Sequence, residues 1–98
     1  MLTSEILVAA RALLTPETWG KGNDGECIMG ALGLVAQEEI WSGAYPVLSV
    51  CALGHTGGPL FKWNDAPERT LADVHALFDA AIAIAHQQEQ AVAVEVPA

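Results

Sequence analysis

The sequence predicts a mainly α-helical fold: a compact single domain of about four helices, with a long glycine-rich loop and an apolar Trp-Asn-Asp loop. Three observations predict it. Apolar residues recur at helical spacing near both ends of the chain, as in Ile6, Leu7, Ala10, Leu13 and Leu14 and again from Leu71 to Ala85. A composition of 52% hydrophobic and 16% charged residues in 98 supplies one modest core and excludes a disordered tail as the main reading. Thr70 followed by Asp73, behind a loop closed by Pro67, is a helix start in which the hydroxyl accepts a backbone N–H near the positive end of the dipole.

Thr3 or Ser4 can cap the first helix, whose apolar stripe should be core. Thr15-Pro16-Glu17 restarts a helical turn with proline at its first position, and the run Gly20-Lys21-Gly22-Asn23-Asp24-Gly25 then breaks regular structure. This run lacks the GxxxxGK[ST] spacing and the preceding strand of a phosphate cradle, so a connection is expected. From Glu26 to about Ile40 the composition favours a second helix, with Asp24 as cap and Cys27, Gly30, Ala31 and Leu34 on one face. Gly30 and Gly33 each cost about 1 kcal/mol relative to alanine inside a helix, and close approach of another element is the simplest reason to keep them.

Pro46 to Leu53 reads as a short third helix, with a buried strand through Val47-Leu48-Ser49-Val50 as the competing reading. His55-Thr56-Gly57-Gly58-Pro59 is turn material, after which Leu60, Phe61 and Trp63 should anchor a loop to the core. Because Pro67 disfavours the helical region for Ala66, Asn64 and Asp65 are placed on that loop. The last helix runs from Leu71 to about Gln88, with Leu71, Val74, Leu77, Phe78, Ala81, Ile82 and Ala85 inward and a weakly polar outer face that suits cover within the chain or across a dimer. The domain thus spans residues 1–90, and residues 91–98, with alternating valines, form a tail that frays or adds a strand.

Twelve acidic against four basic residues give a net charge of −8. Direct nucleic-acid binding is not expected without Lys and Arg clusters, whereas a basic protein could mate with such a surface. Two cysteines without a CxxC pair are expected as reduced thiols. Met1 to Glu5 carry no basic n-region and no apolar run approaches a membrane span, so the expected location is cytoplasmic, in a bacterial cell or phage-infected host.

At Cys27-x-x-Gly30-Ala31-Leu32 and Trp63-Asn64-Asp65-Ala66-Pro67-x-Arg69-Thr70, with the Ala81-Ile82 helix following, the chain resembles a family of small uncharacterised bacterial and phage proteins, a domain of unknown function. The likeness covers roughly residues 4–86. Trp19-Gly20 is similar to that family's Trp-x-x-Gly element, although here the glycine follows directly. The resemblance implies a shared fold and carries over no reaction, cofactor or partner.

Cys27 lies at a predicted helix N-terminus, a position that favours a nucleophilic thiolate, and His55 or His75 could serve as base with Asn64 or Asp65 orienting it. A small packed cysteine is the favoured alternative. Cys51-x-x-x-His55 with Cys27 and His75 is one loose pair where structural zinc sites show two tight ones, so neither metal nor other cofactor is expected. His75 is expected at the core edge, bonded to a backbone carbonyl, and His86 in solvent. Trp19, Trp63, Asn64, Asp65 and Arg69 are the candidate binding residues: Asn64 and Asp65 suit loop capping first and ligand contact second, Arg69 can brace Asp65, and a pocket beneath Trp63 would have Trp19 as a wall. The reading that results is a small acidic protein-binding protein, regulatory or phage-type inhibitory, with a cysteine-dependent hydrolase using Cys27 as the alternative.

Overall fold

Helices α1 (Thr3–Leu13), α2 (Ile28–Ala36), α3 (Ala44–Leu53), α4 (Leu60–Asp65) and α5 (Leu71–Glu95) follow one another in a computed structural model that describes residues 2–21, 25–37, 43–53 and 60–95. α5 packs against α1 on one flank and α3 on the other, and α2 lies across α1 and α4. Ile6, Leu7, Ala10 and Leu14 of the first segment meet Ile28, Ala31 and Leu32 of α2, Leu48 and Ala52 of α3, and Val74, Phe78 and Ala81 of α5 in one core. Each large side chain so buried contributes about 1.5–3 kcal/mol over an exposed one. That is the main reason α2 forms despite its two glycines.

α1 begins without help from Thr3 or Ser4. Leu2 is the N-cap, its N–H donates to Glu5 Oε1 at 2.7 Å, and Ser4 turns instead toward α5. Leu13, expected in the core, is 40% exposed, because the stripe that meets α5 and α2 passes through Leu14. Between α1 and α2, Thr18 Oγ1 donates to Leu13 O at 2.6 Å, and Thr18 and Trp19 N–H both reach Thr15 O to form the expected turn. The glycine-rich segment is pinched at its ends by Glu26 N–H to Thr18 O (2.7 Å) and Gly20 N–H to Glu26 O (3.1 Å). Gly25 sits in this pinch, where a Cβ would lie 2.7 Å from Thr18 O and 2.8 Å from Gly20 N, so only glycine fits.

The inward face of α2 is Ile28, Ala31 and Leu32 rather than Cys27, Gly30 and Leu34; Leu34 is 70% exposed. Gly30 is covered by the side chain of Glu26, not by another helix, and a Cβ on Gly33 would meet nothing. The proposed Asp24 cap lies outside the described residues, and Cys27 occupies the N-cap position without a side-chain bond. The segment through Val47 to Val50 is helical, which decides against a strand.

Trp63, Asn64 and Asp65 form the last turn of α4 instead of a loop, with Leu60 and Trp63 buried as anchors. Pro67 stops that helix through its effect on Ala66, so the proline read as holding a loop instead ends a short helix. The capping box of α5 is as the sequence implies: Asp73 N–H donates to Thr70 Oγ1 at 3.2 Å and Thr70 N–H to Asp73 Oδ2 at 3.0 Å. α5 then continues through Glu95, so the first residues of the expected tail are helical. Among its described side chains Ala85 is the last one buried in the core, and Glu89 ties the extension back by accepting from Ser4 N–H (3.1 Å) and Ser4 Oγ (2.6 Å).

Candidate functional site

Trp63-Asn64 and the residues after it form a clasp between α4, the glycine-rich segment and α5. Asn64 is fully buried; its Oδ1 accepts from Trp19 Nε1 at 2.8 Å while its Nδ2 donates to Gly20 O at 3.1 Å and to Asp65 Oδ1 at 3.0 Å. A primary amide suits this position because it offers acceptor and donors in one plane. Arg69 Nε donates to Trp63 O at 2.8 Å, capping the end of α4, and its guanidinium stacks 3.7 Å from the Trp63 ring centroid. Lys21 reaches the same turn through Nζ to Pro67 O at 2.9 Å.

Trp63 and Arg69 also form part of the wall of a cavity of about 190 Å³ between α3, α4 and α5. Cys51 closes it from α3, and Asp73, Ala76, Leu77 and Ala80 line it from α5. Burial pushes the Cys51 thiol above its ordinary pKa, which keeps it protonated and neutral. Trp19 is not among these walls. Its indole is directed to Asn64, and Asn64 lies behind the clasp without solvent access. Sequence reasoning weighed Cys51 only as a metal ligand, and Asp73 as a helix cap and an acidic surface contact, not as part of a cavity wall. The spacing of Arg69, Asp73 and Leu77, each four residues on, is the signal that places them along one flank.

Of the proposed Cys–His pair, neither Cys27 nor His75 lines this cavity. Cys27 is a half-buried free thiol at the head of α2, and His75 Nε2–H donates to Leu14 O at 2.7 Å, the core-edge role expected of it. Among the described residues no hydrogen bond joins Cys27 to His75, and His55 lies outside them. His86 is exposed, as expected. Among the described residues no group of three or more His, Cys, Asp or Glu side chains is arranged to hold a metal ion.

A small helical domain, clasped around a buried asparagine beside a cavity lined by both Arg69 and Asp73, is the class these features define. Residues 1–84 match DUF6197, a family of unknown function, and the chain belongs to that family. No curated protein and no solved structure matches it. Family membership agrees with the expected resemblance to a domain of unknown function. The added length of α5 beyond residue 84 lies outside the matched region.

Proposed function

We propose that the protein is a small acidic binding domain whose partner is a basic protein, acting in the cytoplasm as a regulatory or phage-type inhibitory binder. The supporting observation is the fate of its four basic residues. Arg11 Nε pairs with Asp79 at 2.9 Å, Arg69 is held on Trp63, and Lys21 is bonded to Pro67 O, which leaves Lys62 as the basic residue without such a tie among the described residues. Glu17 and Glu68 are exposed. The field outside the fold is therefore negative, which repels phosphate backbones and attracts cationic surfaces.

Asp73 and Asp79 are acidic candidates for a partner contact on α5, and both also have duties within the fold, one in the α5 cap and one with Arg11. Glu38 and Glu39 lie outside the described residues. The apolar contact through Leu60 and Trp63 is closed, since both are buried, whereas Ala72, Ala76, Ala80 and Ala83 present an exposed small-residue face suited to self-association.

Affinity purification of the tagged protein from its native host supplies the partner, and stopped-flow association across a salt series then tests the reading. Raising ionic strength from about 0.01 M to about 0.15 M should slow association by about tenfold or more, with Glu17→Gln/Glu68→Gln acting in the same direction. A rate indifferent to both salt and charge removal would overturn the electrostatic reading and move attention to the alanine face.

A further inference from the structure

We propose that the flank of α5 turned toward α3 is a self-association surface, through which two copies of this chain form a two-fold dimer. Beyond the first turn of α5, its charged and titratable groups with described contacts gather on the opposite, α1-facing flank. Asp79 pairs with Arg11, Glu89 accepts from Ser4, and His86 borders a hollow with Ser4, Glu5 and Val8. On the other side Ala76, Ala80, Ala83, Gln87 and Ala91 are exposed at helical spacing and carry no charge. Beside them Pro46, Val47 and Val50 of α3 and Ile84 and Gln88 of α5 line a cleft of about 160 Å³. Val50 is 64% exposed, an aliphatic side chain left in water on the rim.

A second copy fits this surface better than the basic partner proposed above. None of the cleft residues is acidic, so the cleft offers a Lys or Arg nothing to pair with. With a net charge of −8, two copies repel at long range, and contact needs a face where no carboxylate meets another. This flank supplies one. The cleft holds several times the roughly 30 Å³ that one water occupies and has few polar groups to bind water, so an aliphatic side chain fills it better. A two-fold axis between facing clefts sends each Val50 into the other copy's cleft, the reciprocal contact of an isologous interface. The small side chains of Ala76, Ala80 and Ala83 let helix axes approach to about 8 Å. Ala76 to Ala91 spans about 22 Å of helix, and α3 beside α5 widens the strip to about 20 Å. Two such strips bury on the order of 1,000 Å², the lower bound of a specific interface, so the dimer is a weak one.

Sedimentation equilibrium of the full chain from about 10 μM to about 1 mM should reach the mass of two chains at the upper end, as a weak interface requires. Val50→Glu and Ala83→Glu, both at exposed positions, should each weaken dimerisation by about tenfold or more, while thermal melts at about 10 μM report the retained fold. Leu34→Glu adds the same charge at a 70% exposed side chain of α2 and should leave the dimer unchanged. Added sodium chloride should strengthen wild-type dimerisation, because screening weakens the repulsion between two chains of net charge −8, whereas an interface held by ion pairs would weaken. The proposal is overturned by the mass of a single chain at about 1 mM, by a dimer indifferent to both charge insertions, by one that Leu34→Glu dissociates as readily, or by one that salt dissociates.

Discussion

Asn64 shows how one amide can organise a segment that local rules read as a loop. Its partners, Trp19 and Gly20, lie 45 and 44 positions away, so no local pattern announces them. Asn64→Asp keeps the acceptor for Trp19 but replaces both donated bonds with a carboxylate oxygen facing Gly20 O and Asp65. Leaving a buried polar group unmatched costs about 1–3 kcal/mol and more for a charge, so a loss of several kcal/mol in urea unfolding is expected. An unfolding midpoint like wild type would mean that Asn64 is not the organising group. His75, by contrast, was legible because a histidine beside an apolar stripe has few partners other than a nearby carbonyl, here Leu14 O. Gly33 was misread: open space surrounds it, so Gly33→Ala should stabilise by roughly 1 kcal/mol through helix propensity alone. In a domain of this size that corresponds to a rise of about 4–8 °C in melting temperature. The same change at Gly30 must first displace the Glu26 side chain and should gain less.

At the scale of elements, what could be read from the chain was what local chemistry controls. The α5 start was legible because Thr70 and Asp73 satisfy each other's backbone N–H three residues apart. The start of α1 was not, since Ser4 looks like a cap but is claimed by Glu89 from the far end of the chain. Alternating valines after Gln90 suggested a strand, yet the helix runs on to Glu95, and the Ser4–Glu89 contact fixes its register within that extension. Glu89 titrates below the ordinary glutamate range, first because of the Ser4 hydroxyl, then the Ser4 N–H, with a smaller contribution from His86. A depressed folded pKa means that the contact's stabilisation is complete above the unfolded value and is lost as pH falls through the folded one. Glu89→Gln should therefore be less stable than wild type at neutral pH, and the difference should close as pH falls below about 4. Equilibrium denaturation of both proteins across pH reads this directly. A constant gap at all pH values would show that the carboxylate's charge is irrelevant to the clamp.

Across the whole molecule, twelve acidic and four basic residues share a body measuring 51 × 26 × 21 Å. Exposed carboxylates repel one another in the folded state at distances comparable with the Debye length, about 10 Å at 0.1 M salt. Against this stand exposed ion pairs such as Arg11–Asp79, with side chains 36% and 61% exposed. Such pairs contribute about 0–1 kcal/mol each and weaken with salt. With a net charge of −8, repulsion outnumbers attraction, so screening should stabilise the fold on balance. The melting temperature at neutral pH is expected to rise between about 0.01 M and about 0.3 M sodium chloride, most of it at the low end where the Debye length changes fastest. Chloride is the appropriate anion, because sulfate would add a general strengthening of apolar burial unrelated to charge. Arg11→Gln removes one competing attraction and leaves the net charge more negative, so its melting temperature should rise more steeply with salt than that of wild type. A flat or falling curve in wild type would mean that ion pairs dominate the electrostatics of this fold, and the outward negative field invoked for partner choice would then need another source.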